Sequence, residues 1–217
     1  MSENNRIKKI MIAILALLVA GLIAFFYIKP IIIQHELPKP VVINTQDQPT
    51  MGNPAAKVHI VAFEDLKCVN CAHFNKTLMP SIQKHYISTG IAKYTLINLA
   101  FIQGSLPAAN AAHCIYKQNP KLFFPFVAYI FAHQPPEEQN WATIPTLMNF
   151  ASKIHGVKTD QLAQCIVSNQ YALFIQNNLK LAMKLMPVVQ TPTLFINGIL
   201  VNPLTQSQIK TVIDAVK

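Results

Sequence analysis

The sequence predicts an α/β fold: a strand–helix–strand unit, a long helical insertion, then a hairpin and a last helix, all preceded by one N-terminal transmembrane helix. Three observations carry this prediction. A run of 19 apolar and uncharged positions fills residues 10–28. Two β-branched and aromatic runs, 58–63 (VHIVAF) and 93–101 (KYTLINLAF), flank a stretch of helical periodicity. Strand signals then nearly vanish from about residue 105 to 186.

Composition limits the function classes. The chain has 217 residues, 52% of them hydrophobic and 12% charged, and a mean hydropathy of +0.30. That is room for one domain and an appendage, richer in apolar residues than a typical soluble domain and unlike a disordered chain. Lys and Arg number 18 against 9 Asp and Glu, but Arg6 is the only arginine and the lysines are scattered from Lys39 to Lys217. Nucleic-acid recognition leans on arginine forks and clustered charge, so the lysines read as solvated faces and no nucleic-acid partner is expected.

As a helix, residues 10–28 would rise about 28 Å, close to the hydrocarbon thickness of a bilayer. Arg6, Lys8 and Lys9 precede the run and only Lys29 follows it at once. The positive-inside rule therefore predicts a cytoplasmic tail over 1–9, a retained single-pass anchor over 10–28, and everything after it outside the cytoplasm. A cleaved signal peptide is the competing reading, against which stand the length of the run and the lack of a small-x-small site before Lys29. Residues 29–53, with Pro30, Pro38, Pro40 and Pro49, read as a partly extended linker, and the folded domain is expected over 54–217.

Within that domain the first helix should start near Cys68, carry Phe74, Leu78, Ile82 and Tyr86 on one face, kink at Pro80 and stop by Gly90. The strands on either side should be parallel, with a right-handed crossover. The insertion reads as helices near 106–118, 121–133, 144–155, 160–168 and 170–185, with breaks at Pro120, Pro135-Pro136 and Gly156. Asn197-Gly198 between two short apolar runs signals a hairpin, and Thr205 with Gln208 signals the start of a final helix.

Cys68-Val69-Asn70-Cys71 is a C-x-x-C at the start of a helix just after a strand. Spacing of three puts both sulfurs on one face, and the helix N-terminus favours a thiolate on the first, which is expected to be the exposed, attacking sulfur. The competing readings are a permanent buried disulfide and half of a zinc site. Zinc would need two more ligands, of which His73 offers one, while Ala72 excludes c-type haem attachment. No metal and no prosthetic group is expected.

A βαβ unit bearing C-x-x-C, a helical insertion and then Thr191-Pro192-Thr193 before a hairpin resembles the DsbA-type thioredoxin-fold thiol-disulfide oxidoreductases. FEDLKCVNC and TPTLFINGILV are similar to the active-site stretch and proline loop of the BdbD-like branch. The resemblance implies that Cys68 and Cys71 are catalytic and that Pro192 is cis and lies against them, with Thr191 beside it. It further implies a bacterial inner-membrane protein whose domain faces the periplasm. Its partners would be unfolded or cysteine-containing extracytoplasmic proteins and a membrane redox protein that resets the pair. Val69-Asn70 lacks the proline and histidine common in relatives, so the redox direction stays open. Many relatives place a buried acid six residues before the first cysteine, where this chain has Ala62. Asp65 and Glu64 are the candidate proton-relay carboxylates here, with a solvated loop acid as the alternative for Asp65. Cys114 and Cys165 stand in different helices of the insertion, and an even cysteine count in an oxidising compartment favours their pairing as a structural disulfide. Separately buried thiols are the alternative. Two other function classes share the motif: a non-catalytic envelope binding or holdase protein, for which Trp141 could supply contact surface, and a copper-delivery protein using Cys68, Cys71 and His73.

Overall fold

The computed structural model describes residues 2–23 and 37–217 and divides the chain into two compact units, 1–38 and 39–217. Among its described residues the first holds α1 (Ser2–Ile23). Among the described residues no helix is long and apolar enough to cross a membrane. The predicted anchor over 10–28 runs past the end of α1, and residues 24–28 lie outside the described residues. The apolar side chains of α1, Met11, Ile14, Leu15, Leu18 and Leu22 among them, are exposed.

The second unit carries a five-stranded sheet of order β1-β3-β2-β4-β5. Its strands are β1 (Thr50–Gly52), β2 (Val58–Asp65), β3 (Ala92–Leu99), β4 (Thr193–Ile196) and β5 (Ile199–Leu200). β2 and β3 pair in parallel over their full lengths, from Val58 with Ala92 to Asp65 with Leu99, and the other pairings are antiparallel. Parallel strands buried on both faces favour apolar sequence, which residues 60–63 supply in β2, while Glu64, Asp65, Thr95 and Asn98 are the polar residues buried within the pair.

The crossover is α2 (Val69–Thr77), α3 (Met79–Ile82) and one wide turn of helix, Gln83–Ile87. Pro80 sits in the first turn of α3, where its missing N–H costs no internal bond, so the expected kink is a break between two helices at Leu78. The insertion folds as α4 (Leu106–Gln118), α5 (Phe123–His133), α6 (Ile144–Ala151), α7 (Thr159–Val167) and α8 (Ala172–Leu185), close to the predicted pieces. Trp141 is buried against Phe150, as a packed rather than a presented side chain. The hairpin turns at Asn197 and Gly198, both at positive φ, and α9 (Gln206–Val216) begins where Thr205 Oγ1 accepts the Gln208 N–H.

Residues 39–53 are not spacer. β1 adds an edge to β3, and the Val41 N–H donates to the Gly198 carbonyl at 2.9 Å. A Cβ at Gly198 would lie 2.1 Å from the Val41 carbonyl oxygen, so the hairpin glycine serves this close approach as well as its turn. A three-residue strand is too short for any alternation to show, so the expected linker over 29–53 overlaps β1.

The pleat sorts β2 into two faces. Val61 and Phe63 join Ile97, Leu99, Phe195, Ala182 and Met186 in the core cluster beneath α8. Ile60, Ala62 and Glu64 point the other way, toward α2, and this alternation positions the site.

Candidate active site

Cys68 is the N-cap of α2, and Cys71 lies one turn in. Both are free thiols and both are buried, Cys68 with 5% of its surface exposed and Cys71 with none. The first sulfur is therefore less open than its place at the helix start suggested, because the 191–193 loop covers it. The Thr191–Pro192 peptide is cis, and the Cys68 thiol donates to the Thr191 carbonyl oxygen at 3.4 Å. Once ionised, the sulfur can only accept, and the Thr191 hydroxyl, otherwise buried without a partner, is a donor available to it.

The two thiols are driven apart in acidity. A hydrogen bond from Cys71 leads in holding the Cys68 thiol down at about 6. Burial opposes this, while Thr191 and the N–H groups of Cys71 and Asn70 add to it. Cys71 is pushed well above the usual thiol value, first by burial, then by the bond it gives Cys68 and by the nearby Glu64. An acidic first sulfur and a basic second one suit a pair in which only the first is a stable thiolate.

Of the two candidate acids, neither is a solvated loop residue: both belong to β2 and both have no exposed surface. Being adjacent on a strand, they serve different neighbourhoods. Asp65 ties down the loop after β3. Its Oδ2 accepts from the N–H groups of Phe101 and Ile102 at 3.1 Å each and from Ser105 Oγ at 2.8 Å, while Oδ1 accepts from the Lys67 N–H at 2.9 Å. Those four bonds use the carboxylate structurally, although burial still raises its pKa.

Glu64 faces the thiols instead. Its Oε1 accepts from the Tyr94 hydroxyl at 2.5 Å and its Oε2 from Asn75 Nδ2 at 2.6 Å, and the same Asn75 nitrogen donates to the Cys71 carbonyl at 3.0 Å. Burial raises Glu64 to about 7 against those two bonds. Ala62 and Glu64 lie two residues apart on one face, so the carboxylate is displaced by one pleat, about 7 Å, from the position where the resemblance placed it. Tyr94 and Asn75 join the site without belonging to either sequence motif. Asn75 stands four residues after Cys71, a helical spacing that could have marked it, whereas Tyr94 reads as one more aromatic residue in a buried strand.

A cavity of about 750 Å³ lies between α2, α3, α5 and the sheet, with mostly apolar walls that include Ala72, Leu96, Val127 and Phe131. Asn75 and Tyr94 are part of its lining, and so is His73, which is exposed on α2. Away from this site, Cys114 and Cys165 are joined in a disulfide between α4 and α7, with Cα atoms 6.1 Å apart.

Comparison with known proteins agrees with this geometry. The family described as thioredoxin matches residues 44–215. Disulfide bond formation protein D of Bacillus subtilis is 33% identical over 151 residues, which is 69% of this chain and 68% of that protein. The oxidised crystal structure of BdbD from Bacillus subtilis superposes with a TM-score of 0.75 at 30% identity, covering 82% of this chain and 96% of the other. DsbA of Chlamydia trachomatis superposes with a TM-score of 0.74 at 30% identity and the same coverage.

Proposed function

The chain belongs to the thioredoxin family, among its DsbA-like protein thiol-disulfide oxidoreductases of the BdbD branch, and on that premise we propose that it introduces disulfides into extracytoplasmic proteins through Cys68 and Cys71. The observation that carries the direction is the likeness to disulfide bond formation protein D, and two thiols on one helix turn whose acidities are driven apart support it. A stabilised Cys68 thiolate favours the reduced pair, which makes the disulfide form a willing oxidant.

A substrate thiolate attacks Cys68 Sγ of the disulfide, the Cys68–Cys71 bond breaks, and Cys71 leaves with the electron pair. Its high proton affinity means that it must take up a proton, and the Glu64 carboxyl, still half protonated near neutral pH, is the donor the geometry offers. Asn75 links the Glu64 carboxyl to the Cys71 backbone carbonyl, and Asn75 and Tyr94, the two donors to that acid, both line the neighbouring cavity. A second substrate thiolate then attacks the substrate sulfur of the mixed disulfide, and Cys68 leaves as the thiolate. The substrate has lost two electrons and the pair has gained them, so a membrane redox partner must remove them before the next cycle. Pro192 and Thr191 line the approach to Cys68, and Cys114–Cys165 braces the insertion.

We place the catalytic unit outside the cytoplasm on a single N-terminal anchor. Support comes from the basic residues before the apolar run and from the exposed apolar side chains of α1, a surface that water disfavours and lipid accepts. The test of function is oxidative refolding: the disulfide form should reactivate a reduced, unfolded disulfide protein stoichiometrically, while failure to oxidise it at any pH between about 6 and 8 overturns the reading.

A further inference from the structure

We propose that Glu137 is a positioning residue for this redox pair: its carboxylate occupies the N-terminus of α2, competes there with the Cys68 thiolate, and keeps the pair less oxidising than the helix alone would make it. The proposal rests on the disulfide-exchange reading above.

Glu137 lies in the loop from α5 to α6, and its Oε2 accepts the Val69 N–H at 2.9 Å, although the two residues are 68 positions apart in sequence. The first N–H groups of a helix have no partner inside it. At α2 they are divided, with the Val69 donor on the Glu137 carboxylate and the Asn70 and Cys71 donors on the Cys68 sulfur. One helix end thus serves two anionic groups, side by side.

The loop is held in place for this contact. Gln134 Nε2 donates to the Lys67 carbonyl at 3.3 Å, Trp141 is buried at the other end, and turns close Gln139 onto Pro136 and Trp141 onto Gln139. Glu137 is half-buried, and none of the ion pairs among the described residues includes it. The other charged or titratable groups here are Cys71 and Glu64 behind Cys68, His73 exposed on α2, Glu138 exposed beside Glu137, and Lys67, whose ammonium is engaged by the Gln103 carbonyl at 2.9 Å.

In the disulfide state Cys68 carries no charge, and the carboxylate interacts with the positive helix end unopposed. Two-electron reduction, for example by two molecules of glutathione that become one glutathione disulfide, creates a thiolate at the adjoining residue. Two negative charges then share one helix end. The carboxylate therefore favours the oxidised pair over the reduced one.

Glu137→Gln keeps an oxygen that can accept the Val69 N–H and removes only the charge. With the full chain in detergent, equilibrated in glutathione redox buffers, the equilibrium constant for oxidising glutathione should rise about two- to five-fold, the span of charge–helix interactions. The ionisation midpoint of Cys68, read by ultraviolet thiolate absorbance, should fall in parallel. Raising the salt should move the unaltered protein toward the variant's value, because screening weakens the same repulsion. Glu138→Gln should leave both readouts at the wild-type value. A Glu137→Gln protein indistinguishable from wild type, or an equal shift in Glu138→Gln, overturns the proposal. A wild-type protein that does not equilibrate with glutathione at all removes instead the redox reading on which it rests.

Discussion

The Tyr94 hydroxyl donates to Glu64 Oε1 across two strands of the sheet, in a place where neither residue is open to solvent. This bond and the one from Asn75 are the only hydrogen bonds that Glu64's carboxyl receives among the described residues, and both donors are neutral. Burial without a cation is why the acid keeps its proton to about pH 7, and the consequence can be measured as stability.

The unfolded chain loses this proton near 4.5 and the folded chain near 7, so between those values the native state binds more protons and stability falls as pH rises. Glu64→Gln should flatten that slope and be more stable than wild type at pH 8, by roughly 1–3 kcal/mol. Urea denaturation of both proteins at pH 5 and 8 checks it. The same variant should slow reduction of the disulfide form between about pH 5 and 7, where wild-type Glu64 still carries the proton that Cys71 needs, and the difference should fade above neutral pH as wild-type Glu64 ionises.

The pair should show a change in redox slope at the Cys68 ionisation. Below about pH 6 reduction takes up two protons with two electrons, and above it only one, because Cys68 stays ionised while Cys71 does not. The reduction potential should fall by about 59 mV per pH unit on the acid side and about 30 mV on the other. One slope of about 59 mV from pH 5 to 8 would show Cys68 to be an ordinary thiol.

Cys71→Ser should accumulate mixed disulfides with substrates through Cys68, and Cys68→Ser should accumulate few, because Cys71 is both fully buried and poorly ionised. Equal trapping, compared by non-reducing electrophoresis after acid quenching, would contradict the division of roles.

Asp65→Ala should act on stability rather than on redox. It leaves the N–H groups of Lys67, Phe101 and Ile102 and the Ser105 hydroxyl without their acceptor, a loss of roughly 2–4 kcal/mol. Urea titration should record that loss while the glutathione equilibrium constant stays within about two-fold of wild type, a difference of under ~0.5 kcal/mol.

The Cys114–Cys165 bond closes a loop of 51 residues, for which chain entropy gives on the order of 4 kcal/mol. Replacing both cysteines with serine should lower the denaturation midpoint without altering the ionisation of Cys68, whose partners all lie elsewhere. Peptide mapping of a Cys68→Ser, Cys71→Ser protein should find the bridge intact.

What the sequence determined by itself was whatever is written in neighbouring residues. Apolar runs marked β2 and β3, helical spacing and prolines marked the insertion, Asn197-Gly198 marked the hairpin, and a spacing of three marked Cys68 and Cys71 as one unit. Each of those signals arises within a turn or two of chain, where backbone geometry ties residues together. The tertiary structure decided what joins distant segments. It made an edge strand of Thr50–Gly52, whose only cue was a partner some 45 residues away, and it packed Trp141 inward. It also separated Glu64 from Asp65. Adjacent in sequence, they fall on opposite sides of a pleat, so one carboxylate meets Tyr94, Asn75 and the thiols while the other secures a loop. Glu137 reaches α2 only because two helices of the insertion bring its loop there, and no local pattern records that contact.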